Sequence, residues 1–190
     1  MTEPRLPSPV RWQPPLRRDR RDRARRWLVA TAAGLALVGL AAGVAAFAPA
    51  PRLIWNPSAS APVGLWRIHP GEPVRVGDMA LARTPAAVRR LAAERRYLPM
   101  NVPLLKRVAA ADGDVVCALG PWLFVNGDRV ATRREADRRG RPLPWWHGCR
   151  TLDGDTILLL MDAPDSFDGR YFGPVSQSSV IGRATPLWLR

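Results

Sequence analysis

From Trp27 to Ala48 the chain runs for 22 residues without a charge, hydrophobic on every side of a helix and carrying Gly34, Gly39 and Gly43. At about 1.5 Å per residue this stretch reaches roughly 33 Å as a helix, enough to cross a bilayer. Beyond Pro51 the pattern changes to turns followed by short apolar runs. Gly77-Asp78 precedes MALA, Gly113-Asp114 precedes VVCAL and Gly154-Asp155 precedes TILLLM; such runs after a glycine turn predict strands. Leu123 to Val130 predicts a hairpin with Asn126-Gly127 at its tip. Pro85 to Leu98 alone predicts a helix, with Val88, Leu91 and Leu98 near one face. The fold class is therefore mainly β, with one N-terminal transmembrane helix. Arg133 to Pro144 is polar and lacks apolar periodicity, which predicts an exposed loop with no role and no nucleic-acid site.

Charge adds a direction to this picture. Residues 1–26 carry nine Arg and three acids, against 20 basic and 13 acidic residues in the remaining 164. Five prolines precede the Arg run, so residues 1–26 are expected to be a basic disordered cytoplasmic tail that serves topology and anionic lipid. Residues 27–48 are then a transmembrane anchor and residues 49–190 an exported domain, because the arginines lie before the span and only Arg52 lies just after it. The expected location is the inner (cytoplasmic) membrane, single-pass, with the head in the periplasm. Ala46-Phe47-Ala48 resembles a signal-peptide cleavage site, but Pro49 disfavours cutting there and a retained anchor is the expectation. Cys117 and Cys149, the only cysteines, predict one disulfide in an oxidising compartment, contributing about 2–4 kcal/mol.

Composition also singles out one side chain. The chain has 28 Arg and one Lys, Lys106, set in the apolar run Pro-Leu-Leu-Lys-Arg-Val. Arginine stays protonated at physiological pH, whereas a desolvated lysine can release its proton and act as a base. A lysine base needs a nucleophile, and Ser58 and Ser60 offer hydroxyls just after the span. Two apart in an extended segment, they would point the same way, one attacking and the other assisting an oxyanion. His69, expected in a turn, and His147, expected at the surface, lie in no nucleophile motif. No metal-ligand cluster occurs and no cofactor is expected.

Three segments carry a resemblance: Asn56-Pro57-Ser58-Ala59-Ser60-Ala61-Pro62-Val63-Gly64-Leu65-Trp66; then Pro103-Leu104-Leu105-Lys106-Arg107-Val108 with Gly113-Asp114; then Asp165-Ser166-Phe167-Asp168-Gly169-Arg170-Tyr171-Phe172-Gly173-Pro174. In this order they resemble the three boxes of the type I signal peptidase superfamily, most closely its conjugative-transfer (TraF) branch. Ordinary signal peptidases follow the serine with Met and place Pro three residues on. Here Ala61 follows Ser60 and Pro62 comes at two, which favours that branch, while Trp66 stands where it often has Tyr.

The resemblance implies a signal-peptidase-like β-rich catalytic head, residues 49–190, working by a Ser/Lys dyad. Ser60 matches the nucleophile, Lys106 the general base, and Ser58 with the Ser60 amide the oxyanion hole. Ser166 matches the serine that orients the lysine. Asp168 and Arg170 match the paired charges of the last box, Asp168 being the acid required in this branch; an ion pair that holds the site together is the other reading of the two. The implied function is processing of an exported precursor such as a prepilin, with cyclisation as one outcome, in contact with the membrane and a conjugation machinery and without specific nucleic acid. A general signal peptidase and a non-enzymatic scaffold of a transfer channel are the alternatives.

Overall fold

Each of the three glycine–aspartate turns is followed by a strand: Met79–Ala82 (β3), Val115–Leu119 (β5) and Thr156–Leu160 (β9). The protein was analysed as a computed structural model, which describes residues 17–46 and 50–190. It divides into an N-terminal unit ending at Pro49 and a head from Ala50 to Arg190. The described part of the first unit is one helix, Arg17–Ala46 (α1). Its Arg20–Gly43 segment is long and apolar enough to span a membrane. The helix begins ten residues before Trp27, so the expected disorder does not hold for residues 17–26. Arginine and alanine are good helix formers, and the apolar segment supplies the nucleus they extend. Residues 1–16 of the tail, and Phe47 and Ala48 of the anchor, lie outside the described residues.

The head is built almost wholly of antiparallel strands. The remaining ones are Leu53–Asn56 (β1), Gly64–Pro70 (β2), Leu104–Ala110 (β4), Trp122–Val125 (β6), Asp128–Thr132 (β7), Gly148–Thr151 (β8), Val175–Ser176 (β10) and Val180–Leu189 (β11). Seven form a sheet in the order β1-β2-β11-β3-β4-β9-β10, and four form a second in the order β7-β6-β5-β8. Bulges in β11, against both β2 and β3, and in the β4–β9 pairing bend the larger sheet. The predicted hairpin is β6–β7: Asn126 and Gly127 both adopt positive φ, 51° and 90°, as a two-residue primed turn requires. Cys117 on β5 and Cys149 on β8 are register partners and are joined by a disulfide, with Cα atoms 4.0 Å apart.

The helix expected over Pro85–Leu98 is shorter, Ala86–Glu94 (α2), burying Val88 and Ala92. It ends in a Schellman motif: Tyr97 N–H donates to Ala92 O and Arg96 N–H to Ala93 O, and Arg96 takes φ 59°. The two sheets share a core of Ala110, Leu158 and Leu160 against Val116, Ala118, Leu123 and Leu152. Each fully buried leucine there contributes about 1.5–3 kcal/mol. A second cluster, with Trp66, Leu105 and Met161, includes Ala61 and so anchors the loop that carries Ser60.

Candidate active site

Three chain segments far apart in sequence meet at one point of the larger sheet. The β1–β2 connection brings Ser58 and Ser60, strand β4 brings Lys106, and the chain after β9 brings Ser166. Lys106 Nζ lies 3.1 Å from Ser60 Oγ and 2.8 Å from Ser166 Oγ. Lys106 as a whole residue is only 3% exposed. That burial pushes the ammonium down from 10.5 to about 8; Asp168 opposes the shift and Arg170 adds to it. The lysine is thus poised to exist as a free amine close to neutral pH, within reach of a half-buried hydroxyl.

The two serines are neighbours for a different reason than expected. Residues 59–60 form a turn rather than an extended strand, closed by Ala61 N–H to Ser58 O at 3.4 Å. The turn places the Ser58 and Ser60 hydroxyls 3.0 Å apart, and Ser60 N–H donates to Ser58 Oγ at 3.3 Å. Asn56, at the end of β1, brackets this turn. Its side-chain amide donates to Ser58 O, Ala61 O and Pro62 O at 2.9–3.1 Å, while its Oδ1 accepts from Ser58 N–H. Trp66 Nε1 also donates to Pro62 O. Asn56 opens the first of the three segments, and the resemblance gives it no role. Asn, Pro and Ser in succession favour a turn, and this is the local signal for the bracketing role of Asn56.

Asp168 makes no hydrogen bond with Ser60 or Lys106. It is fully buried and binds the equally buried Arg170, whose Nε donates to Oδ1 at 2.8 Å and whose Nη2 donates to Oδ2 at 3.2 Å. The same carboxylate accepts Met161 N–H at the end of β9 and Arg170 N–H at the start of the short helix Gly169–Phe172 (α3). Arg170 continues to the carbonyls of Met161, Pro164 and Thr132. The pair therefore fixes the segment that presents Ser166. Gly169 allows this packing, since a Cβ there would lie 2.7 Å from Leu159 O.

The arginine-rich stretch is a loop, as expected, and half of its residues are exposed, but ion pairs and carbonyl contacts hold it in place. Arg133 is 3% exposed and donates to the carbonyls of Trp146 and Gly120, its guanidinium stacked 4.3 Å over Trp145. Arg134 and Arg138 pair with Asp165, next to Ser166. Asp137 accepts from Tyr97 Oη and Arg141 Nε; these contacts, Tyr97 foremost, hold it well below the usual carboxylate range. The stretch so becomes a wall of a cleft of about 1150 Å³, which also has Ser58, Ser60 and Ser166 in its lining. Periodicity could not reveal this, because the wall is held by ion pairs and carbonyl contacts and not by an apolar face. Of the histidines, His147 is exposed. His69 lies on β2 and not in a turn, its Nε2 3.0 Å from Thr185 Oγ1 on β11.

Comparison with known proteins assigns this β head to a family. The chain matches the family described as signal peptidase, peptidase S26, over residues 24–189, and belongs to it. Among its relatives is a plasmid transfer protein TraF of Escherichia coli, 37% identical over 144 residues, which span 70% of this chain and 80% of that one. A probable conjugal transfer protein TraF of Sinorhizobium fredii is 33% identical over 139 residues, 68% of this chain and 73% of the relative. A crystal structure of a signal peptidase I from Enterococcus faecalis aligns at 20% identity with a TM-score of 0.36, covering 60% of this chain and 98% of the other.

Proposed function

We propose that the protein is a membrane-anchored serine endopeptidase that cuts exported precursors with a Ser60/Lys106 dyad. The observation that carries this reading is the 3.1 Å contact between Ser60 Oγ and the Nζ of the buried Lys106. Neutral Lys106 takes the Ser60 proton, and the oxygen attacks the scissile carbonyl. The oxyanion is met by the Ser60 amide and the Ser58 hydroxyl, which already adjoin in the turn. Lys106 then gives its proton to the departing amine, and water, or an amine of the substrate, resolves the acyl-enzyme. Ser166 orients the lysine; Asp168 and Arg170 are positioning residues behind it.

The names of the conjugal relatives support a substrate among the precursors of conjugation, a prepilin being the natural one. The segmentation follows the charge: tail 1–26 in the cytoplasm, anchor 27–48, peptidase domain 49–190 in the periplasm. Protease added to intact spheroplasts is expected to reach the head once its fold is opened, and to spare the tail. Digestion of the tail instead would reverse the orientation.

Incubating a prepilin from the same transfer system with the detergent-solubilised full chain tests the activity by mass spectrometry. Hydrolysis adds one water across the fragments, whereas cyclisation leaves the mature product one water lighter than its linear form. An unchanged precursor would oppose the peptidase reading. In the same assay Ser58→Ala should lower turnover by about 10²–10³-fold, the loss typical of one oxyanion donor. Unchanged turnover would make Ser58 a loop residue only.

A further inference from the structure

The cleft beside Ser60 carries more positive charge than its carboxylates balance. Asp137 and Asp165 are engaged by three arginines of the loop. Arg138 and Arg134 keep Asp165 below its ordinary range, just as Tyr97 and Arg141 do for Asp137. Arg95 donates its guanidinium to Pro142 O. Arg96 and Arg139 are left: both are exposed, both line the cleft, and neither side chain pairs with a carboxylate among the described residues.

Both side chains are exposed, but the backbone that carries each is fixed. Arg96 occupies the Schellman position after α2, where φ is 59° and glycine is the residue of least strain. An arginine there is held in the left-handed region although a glycine would fit the backbone better. Arg139 sits at the tip of a turn that is fastened on both sides: its own N–H and that of Arg141 donate to Asp137 Oδ1 at 2.9 Å, and Arg138 binds Asp165. Two guanidinium groups are thus carried on braced backbone at the rim of the cleft that holds the candidate nucleophile. A guanidinium offers a planar fork of donors matched to a carboxylate.

We infer that Arg96 and Arg139 form an anion-reading subsite that selects precursor segments with an acidic side chain close to the scissile bond. The inference rests on the peptidase reading of the cleft and adds the chemical class of sequence it prefers. Excess positive charge in a walled cleft also draws in acidic segments before contact, an effect that salt weakens.

The test uses the full chain in detergent with Ser60→Ala, so that binding is measured without turnover. The probes are fluorescein-labelled alanine-based decapeptides that differ only in two central residues, Glu, Gln or Lys, followed by anisotropy. The Glu peptide should bind ~10-fold more tightly than the Gln peptide at low salt, the effect of one charge-assisted contact pair. Arg96→Gln with Arg139→Gln should bring the two peptides within ~2-fold of each other, and Arg96→Glu with Arg139→Glu should favour the Lys peptide. Arg96→Gly should weaken the preference without lowering the unfolding temperature, which separates a binding role from a structural one. A preference that survives in the Gln pair, or that disappears on replacing Arg23, Arg25 and Arg26 of the tail by Gln, would overturn the inference. Active chain that processes precursors with no charge preference refutes the subsite alone; a charge preference at this wall without processing by the Ser60 form refutes the peptidase reading and leaves the subsite standing.

Discussion

Lys106→Arg should abolish precursor processing, lowering turnover on the order of 10⁴-fold or more, and Ser60→Ala should do the same. The arginine variant keeps the charge and the donors of lysine but cannot give up its proton, so it removes the base and little else in charge terms. Lys106→Met supplies the control for folding. The lysine's folded pKa of about 8 lies below the free value of 10.5. Below pH 8 the folded protein therefore holds a buried ammonium at a disadvantage of about 3 kcal/mol, which disappears as pH rises between these two values. A methionine of similar length avoids that cost, offset in part by the Ser166 hydroxyl left without its partner. The Met variant should be inactive yet at least as resistant to urea as the parent at pH 7. Substantial turnover by the Arg variant would eliminate the dyad.

Asp168→Asn should destabilise the head by about 3–5 kcal/mol, because it leaves the Arg170 charge buried without a counterion. Replacing Arg170 by Met in the same chain should recover part of the loss, since the pair is then removed as a unit. A second readout separates this pair from a purely structural one. Asp168 raises the pKa of Lys106 and Arg170 lowers it, so with Asp168 neutral the remaining activity should shift to lower pH. Denaturant midpoints and a pH–rate profile on the same preparation check both parts. A profile that stays in place would limit Asp168 to holding the fold.

How much of this was legible in the chain depended on what kind of signal each part carries. Strands β3, β5 and β9 and the Asn126-Gly127 hairpin follow from local chemistry, a turn residue and then a short apolar run. Lys106 stood out because arginine cannot do what a buried lysine can, and the structure buries it. The pairing of Ser58 with Ser60 was anticipated, though through an extended geometry where a turn held by Asn56 does the work. What local patterns could not carry were contacts made through ion pairs over long separations. The arginine loop reads as solvated, yet Asp137, Asp165 and the carbonyls of Gly120 and Trp146 turn it into a wall. The resemblance left Asp168 with two readings, a required acid or one half of an ion pair with Arg170; the contacts it makes are those of the ion pair, to Arg170 and to Met161 N–H.

The most direct test of the Ser60/Lys106 dyad needs no knowledge of the natural precursor. The full chain in detergent is treated with a small activated ester, and acylation is followed by intact mass and peptide mapping across pH. A neutral lysine base is required for attack, so acylation of Ser60 should rise with pH, reach half its maximum near pH 8 where burial sets the Lys106 amine, and be absent in Lys106→Arg. Acylation scattered over other hydroxyls, or equally fast at Ser60 in the Lys106→Arg chain, would contradict the dyad.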